Sequence, residues 1–292
     1  MEEYKIALER MTEFIASLKR RGRKNGTLRR YSVAIRSFIA YLSSEGFHSD
    51  PAKVDEDGIR SFVNGYTASE NTIRSYITSI SAWLTWCGNR VMDGIGLLWN
   101  ENGCPNAKWI SEFEFKRMVN AAQDPTQRLI LLLAGRCGLR RSEIASLTDD
   151  SIEGTRMQII GKGHGIGKIR YVPLTETMRR EIASYQEWRE KEASGRPRKD
   201  NGALVVSFWR GAVIPMSERT VYRWILEAAD SVGVVCTPHS LRRLFATSLI
   251  DKGIELHTVS RLMGHANINT TMRYVEKNEG KMMAAMESIA TL

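Results

Sequence analysis

The sequence predicts a mainly helical protein of two domains, with one small β-hairpin or sheet in the second domain. Three observations carry this prediction. Apolar residues recur at helical spacing through the first 90 residues. A glycine- and asparagine-rich stretch, Gly88–Lys108, then interrupts the spacing, and further on two short β-type runs flank a glycine-rich turn. A chain of 292 residues is long enough to form two separate cores.

Four helices are expected in the N-terminal domain, residues 1–90. Helical spacing predicts two long amphipathic helices before Glu45, a shorter helix over Asp55–Tyr66 and a fourth helix from about Asn71. The apolar positions of the first, second and fourth predicted helices are Met11, Phe14, Ile15, Leu18, Leu28, Tyr31, Ile35, Phe38, Ile39, Leu42, Ile73, Ile77, Ile80 and Leu84. Four helices of this length predict a small bundle.

Residues 91–107 are expected to be a linker, and residues 108–292 a second domain. Ser111 and Glu114 have the spacing of a capping box, which predicts a helix start. The glycine-rich turn from Gly161 to Lys168 predicts a hairpin, and the rest of the domain is expected to be helical. The predicted segments are helices at Arg128–Ala134, Thr177–Lys191, Ser217–Ala229 and Leu241–Lys252, and strands at Met157–Ile160 and Ile169–Leu174.

The net charge of +9 and the pI near 9.5 favour a polyanionic partner. Between Glu13 and Glu45 the chain has basic residues but no acid. This pattern predicts an arm or helix that contacts DNA phosphates, while a solvated basic face remains the alternative. The residues expected to bind DNA are Lys19, Arg20, Arg21, Arg23, Lys24, Arg29 and Arg30.

The remaining composition excludes several classes. The four cysteines are scattered without a C-x-x-C pair, which argues against a zinc knuckle or a disulfide framework and fits a reducing compartment. An apolar signal-peptide region and an 18-residue apolar run are both missing. We therefore expect a cytoplasmic, nucleoid-associated protein with no membrane segment.

Six side chains would suffice to attack a phosphodiester without a metal ion. A tyrosine hydroxyl would act as the nucleophile, while arginines, histidines and a lysine would neutralise charge on the phosphate oxygens. The residues are Arg140, Lys162, His239, Arg242, His265 and Tyr274. No metal or other cofactor is expected, because the cations supply the positive charge and no cluster of metal ligands is visible.

The order and spacing of these residues resemble the tyrosine recombinase family, which includes phage integrases and Xer-like proteins. The matching blocks are GLRRSE at 138–143, GKG at 161–163, HSLR at 239–242, LMGH at 262–265 and Tyr274, and together they cover the C-terminal two thirds of the chain. The resemblance implies that the N-terminal bundle is a four-helix core-binding, SAM-like domain. It also implies that residues 108–292 form the catalytic domain.

The resemblance also implies a role for each catalytic residue. Arg140 and Arg242 would contact the scissile phosphate, and Tyr274 would attack it. His265 would donate a hydrogen bond to the phosphate, and His239 would transfer a proton or bind a nonbridging oxygen. Glu143 would orient neighbouring groups.

Several assignments have competitors within the sequence. Arg141 is a rival for Arg140, and a simple ion pair between Arg140 and Glu143 is a structural alternative. Lys162 would be the general acid for the leaving 5′ oxygen, with Lys168 and His164 as rivals in the same turn. Arg243 replaces the histidine that often follows the arginine of the family's LRH motif, which puts a secondary structural contact in doubt.

The expected function is site-specific recombination through a 3′-phosphotyrosine intermediate and a Holliday junction, for integration and excision or for resolution of replicon dimers. The expected substrate is double-stranded DNA with an inverted-repeat or attachment site, bound by a homotetramer on two sites. The free protein would be a monomer or dimer. A catalytically inactive DNA-binding accessory protein and a topoisomerase IB-like relaxase are the alternatives.

The segment after the nucleophile, residues 276–292, carries Met282, Met283, Met286 and Ile289 at helical spacing. Such a tail could pack on its own domain, whereas the resemblance implies that it docks on a neighbouring protomer.

Overall fold

The computed structural model describes residues 2–97, 99, 109–161, 168–265 and 267–272. The chain divides into two compact units, Met1–Gly103 and Cys104–Leu292. The predicted linker lies partly outside the described residues, and its described portion includes a short 3-10 helix at Val91–Asp93.

The first unit contains the four predicted helices, which pack around a common apolar core. Asp55 and Ser69 cap the third and fourth helices, since their side chains accept hydrogen bonds from the backbone N–H groups of Gly58 and Thr72. The core includes Phe38 and Phe62, whose rings meet edge to face at 5.1 Å. The helices are α1 Glu2–Arg20, α2 Asn25–Ser44, α3 Glu56–Gly65 and α4 Glu70–Trp86.

The second unit is mainly helical, as predicted, and the capping box of Ser111 and Glu114 begins its first helix. Its helices are α5 Glu112–Ala121, α6 Pro125–Arg136, α7 Arg141–Ala145, α8 Glu176–Ala193, α9 Glu218–Asp230, α10 Pro238–Asp251, α11 Leu256–Met263 and α12 Asn269–Met272. Apolar residues of α6, including Ile130, Leu131 and Leu133, are fully buried at its centre.

The predicted hairpin belongs to a three-stranded antiparallel sheet of order β1-β2-β3. The strands are β1 Ile152–Glu153, β2 Arg156–Ile160 and β3 Ile169–Pro173. Met157 pairs with Val172, and Ile159 pairs with Arg170. The backbone N–H of Gly161 donates to the carbonyl of Lys168 at 2.8 Å, which closes the base of the turn.

The prediction that the remainder of this domain is helical is wrong at Val206–Pro215. Strands β4 Val206–Trp209 and β5 Ala212–Pro215 form a second, separate antiparallel hairpin there. Its two-residue turn is Arg210-Gly211, and both residues have positive φ, 49° and 78°. A turn with positive φ at both central positions matches the twist of paired strands, so it favours a hairpin over a continuous helix.

Candidate active site

Arg140 is placed by the turn that ends α6. Gly138 has φ +65°, and a Cβ at this position would collide with the ring of Phe245, so the turn requires glycine. Arg140 then serves as the N-cap of α7, and its backbone N–H donates to Glu143 Oε2 at 2.8 Å. Its side chain donates from Nη1 to Glu143 Oε1 at 2.7 Å. The structural alternative, an ion pair with Glu143, is therefore present, and it leaves the Arg140 side chain 32% exposed.

The rival Arg141 points elsewhere. Its guanidinium lies 3.6 Å from the Glu218 carboxylate and stands over the ring of Tyr222. Its side chain is 52% exposed. The structure thus pairs Arg140 with the buried Glu143 and directs Arg141 towards α9.

Arg242 is placed by the start of α10. Thr237 caps this helix through a reciprocal pair with Ser240, and Pro238 occupies its first turn. The Arg242 guanidinium is 3% exposed and donates to the carbonyls of Gly138 and Met263. It also lies 3.9 Å from Glu143 Oε2. Arg242 therefore connects α10 with the turn before Arg140 and with the end of α11.

Glu143 is the acid on which these groups converge. Its side chain is only 3% exposed, and burial alone would raise the pKa of its carboxyl group. Hydrogen bonds and charge from Arg170, together with the Arg140 backbone N–H and charge, instead lower the pKa to about 2. Glu143 is consequently a carboxylate at neutral pH.

The two predicted histidines stand in the field of the arginines. Burial lowers the pKa of His239, and the charges of Arg243, Arg242 and Arg140 lower it further. Burial is also the largest cause at His265, where Arg242 and Arg140 help to bring the pKa to about 4. Both imidazoles are therefore neutral at pH 7 in the DNA-free protein and able to donate a hydrogen bond from one ring nitrogen.

His265 Nδ1 shares a 2.8 Å hydrogen bond with the hydroxyl of the buried Thr271. This contact fixes one ring nitrogen. Thr271 was not identified from the sequence as a site residue, and nothing in Asn269-Thr270-Thr271 distinguishes it from the neighbouring Thr270.

Arg170 is the second residue in contact with the predicted site that sequence reasoning missed. It donates from Nη1 and Nη2 to the two oxygens of Glu143 at 2.8 and 2.9 Å, and from Nε to the carbonyl of Leu262 at 2.8 Å. A signal was available, because strand alternation places Arg170 on the same side as the buried Val172. A charged residue on the inward face of a strand is rarely without a partner.

Arg243 occupies the position where a histidine is often found. Its guanidinium lies over the ring of Trp109, 5.6 Å from the centroid. Its Nε is buried and has no hydrogen-bond partner within the described residues. At this position Arg243 therefore makes a cation–π contact with Trp109.

Tyr274 and Lys162, together with the rival His164, lie outside the described residues. The other rival, Lys168, is exposed. The structure brings Arg140 and Arg242 together at the Glu143 carboxylate. His239 lies one turn before Arg242 on α10, and His265 follows the turn whose Met263 carbonyl binds Arg242. The charges of both arginines accordingly lower the pKa of each histidine.

The seven basic residues predicted to bind DNA run from the last turn of α1 through the connection into α2, and all seven are exposed. Within the part of the chain that the structure describes, none of them forms an ion pair with an acid. No group of three or more His, Cys, Asp or Glu side chains there could hold a metal ion. Nor does any described helix have the length and apolar character to cross a membrane.

Comparison with known proteins identifies the protein family to which this fold and these motif residues belong. The family model described as "Phage integrase family" matches residues 108–281. The chain belongs to this family and is a tyrosine site-specific recombinase, an enzyme that transfers DNA strands.

Individual relatives and solved structures agree. Tyrosine recombinase XerA of Pyrococcus horikoshii is 28% identical over 95% of this chain and 92% of its own length. A lambda integrase dimer bound to a COC' core site has the same fold, with a TM-score of 0.69, 20% identity and coverage of 91% of this chain and 76% of that one. XerH bound to difH gives a TM-score of 0.66, with 21% identity and coverage of 89% and 78%.

Proposed function

We propose that this recombinase cleaves and rejoins one strand of each of two DNA sites through a 3′-phosphotyrosine intermediate. The observation that supports it best is the convergence of Arg140, Arg242 and two neutral histidines around the buried Glu143. Such an arrangement offers positive charge and hydrogen-bond donors to nonbridging phosphate oxygens, where negative charge grows during attack.

In the proposed reaction the Tyr274 oxygen attacks the scissile phosphorus, and the bond from phosphorus to the 5′ oxygen breaks. The phenol proton leaves to a base, for which His239 is a candidate because its lowered pKa keeps the imidazole unprotonated and able to accept a proton. Lys162 protonates the departing 5′ oxygen. The phosphotyrosine ester conserves the bond energy, so the 5′ hydroxyl of a partner strand can reverse the reaction and produce a Holliday junction.

The proposed substrate is double-stranded DNA with an inverted-repeat or attachment site, and the proposed assembly is a homotetramer on two such sites. Two observations on relatives support this: XerH has been solved on its difH substrate, and a lambda integrase tetramer on a Holliday junction. Integration and excision or replicon dimer resolution in the cytoplasm, at the nucleoid, are the proposed tasks. In this scheme residues 1–90 bind DNA, residues 91–107 link the domains and residues 108–292 catalyse.

The test is covalent capture on nicked suicide duplexes. A pool with a randomised core is incubated with the protein in excess chelator, and duplexes that remain attached under denaturing conditions are amplified. We expect wild type to form adducts without divalent metal, and Tyr274→Phe to bind the selected duplex but form none, because only the phenol oxygen is lost. Lys162→Ala should cleave slowly and recover when sulfur replaces the scissile 5′ oxygen, since a thiolate leaves without protonation.

An adduct of unchanged yield with Tyr274→Phe would refute the assignment of the nucleophile. Loss of adducts with chelator and their return with magnesium would refute the metal-free site. Recovery of Lys168→Ala, rather than Lys162→Ala, by the sulfur substrate would transfer the acid role to Lys168.

A further inference from the structure

Arg170 lies on β3 at the base of the hairpin that carries Lys162, and its side chain is only 10% exposed. The flanking Ile169 and Tyr171 are exposed, so β3 presents Arg170 towards the domain interior. Burial of a guanidinium is unfavourable unless its donors are matched by acceptors in good geometry. The hydrogen-bond acceptors of Arg170 therefore indicate its role.

All three guanidinium nitrogens of Arg170 donate hydrogen bonds. Two bind the Glu143 carboxylate in a bidentate arrangement, and the third binds the Leu262 carbonyl. Bidentate pairs fix orientation as well as distance. The same carboxylate binds Arg140 Nη1 and lies 3.9 Å from Arg242, so Arg170 shares its acidic partner with both arginines.

The Leu262 carbonyl extends this argument to His265. The last carbonyls of a helix have no partner within the helix and need donors from elsewhere. At the end of α11, Arg170 binds the carbonyl of Leu262 and Arg242 binds that of Met263. Gly264 then turns the chain with φ +62°, and His265 follows directly. Two arginines thus anchor the helix end from which His265 projects.

The Arg170 side chain also packs closely against Gly264 in this turn. A Cβ on Gly264 would stand 2.9 Å from Cδ and 3.1 Å from Nη1 of Arg170. The glycine of the Gly264-His265 pair is therefore required twice, once by its positive φ and once by the Arg170 side chain.

We propose that Arg170 is a positioning residue for DNA cleavage, which joins the base of the Lys162 hairpin to the Glu143 carboxylate and to the end of α11. In this role it holds Arg140, Arg242 and His265 in the arrangement that receives the scissile phosphate. The proposal rests on the proposed function. A purely stabilising role would need only a positive charge beside Glu143. The positioning role also needs the planar guanidinium group, whose nitrogens bind Glu143 and Leu262 at the same time.

The deciding variant is Arg170→Lys. Lysine keeps the charge that compensates Glu143, but its single nitrogen cannot reproduce the bidentate pair together with the bond to Leu262. We expect a melting temperature within a few degrees of wild type, and an affinity for the selected duplex within about threefold. The single-turnover rate of adduct formation should fall by about 10- to 100-fold, because small displacements of catalytic groups have effects of that order. The NMR signal of the His265 ring should also shift.

Two further variants complete the set. Arg170→Met removes this partner of Glu143 altogether. If the Arg170→Met protein does not fold, the cause is the uncompensated charge of the buried Glu143 carboxylate, and Arg170→Lys remains the test of positioning. Arg156→Met is the matched control, since Arg156 lies in the same sheet but is 54% exposed and pairs with Glu153 at the surface. We expect the control to cleave at the wild-type rate.

The outcomes separate the two proposals. A wild-type protein that forms no adduct with any duplex of the pool would overturn the proposed function, and the role of Arg170 with it. Wild-type cleavage accompanied by an equally fast Arg170→Lys variant would overturn the role of Arg170 alone. Slow cleavage by a folded, DNA-binding Arg170→Lys protein, with a shifted His265 signal, is the supporting result.

Discussion

Glu143 explains, at the scale of single residues, how several arginines can lie close together before any phosphate is bound. Like charges repel, and a buried carboxylate between Arg140, Arg170 and Arg242 offsets part of that repulsion. Removing one member of a buried pair usually costs about 3–5 kcal/mol, because the remaining charge has no partner. Arg140 is the most exposed of the three arginines, so it has room to contact a ligand while Arg170 keeps Glu143 in place.

The low pKa of His265 leads to a pH prediction. In the free protein the imidazole is neutral at pH 7 and should titrate near about 4. The folded pKa lies below the unfolded value, so protonation favours unfolding, and stability should decline as the pH falls from about 6.5 towards about 4. A DNA phosphate brings negative charge beside the ring, which favours the imidazolium, so binding should raise the pKa of His265.

The measurement is an NMR titration of histidine-labelled protein with and without the selected duplex. The His265→Asn variant assigns the signal by its disappearance. An unchanged titration in the presence of duplex would show that His265 does not face the phosphate, and a midpoint near 6.5 in the free protein would contradict the effect of burial and of the nearby arginines.

At the scale of elements, the sequence predicted what depends on local pattern. The four bundle helices, the capping box of Ser111 and Glu114, and the β2–β3 hairpin were each visible as spacing or as capping and turn chemistry. The β4–β5 hairpin was missed because its turn residue Arg210 adopts a positive φ, and an arginine side chain gives no indication of that backbone conformation.

The candidate site residues were predicted in the same way, motif by motif, whereas Arg170 and Thr271 were missed because their contacts are tertiary. Arg170 is distant in sequence from both of its partners, Glu143 and Leu262, and only the folded chain brings them together. Thr271 depends likewise on the turn that places it beside His265. Strand alternation places Arg170 on the inward face of β3, but that pattern does not identify the residues it binds.

The basic residues that run from the end of α1 into α2 give a prediction about this part of the bundle. They are exposed and unpaired with any acid in the described chain, so their charges are available to phosphates. Each phosphate contact contributes about one unit to the slope of log K against log salt. If Arg29 and Arg30 both contact DNA, Arg29→Ala/Arg30→Ala should weaken binding and reduce that slope by about two.

The matched control removes the same charge from the same unit. Lys53 and Arg60 are exposed but pair with Glu3 and Glu56, so Lys53→Ala/Arg60→Ala should leave the slope nearly unchanged. Mobility-shift titrations at several salt concentrations give both slopes. Equal slopes for the two double variants would assign the segment to an ordinary solvated face.

At the scale of the whole molecule, the proposed strand exchange between two sites would use several copies of the chain, and the tail would offer a way to couple them. Residues 276–292 lie outside the described residues. A helix this short is marginal in water unless its apolar face is covered, here the face of Met282, Met283, Met286 and Ile289. We propose that a neighbouring protomer covers it, as the family resemblance implies, so that assembly controls the position of Tyr274.

Deleting Lys281–Leu292 should therefore leave single-site binding nearly normal in a mobility-shift assay, while strand exchange between two sites falls by at least about tenfold. Met282→Ser/Met286→Ser should have the same effect without shortening the chain, because it removes only the apolar contacts. Ser288→Ala, on the opposite side of the predicted helix, is the control and should recombine normally. Full recombination by the truncated protein would exclude docking in trans, whereas loss of folding by circular dichroism would show that the tail packs on its own domain.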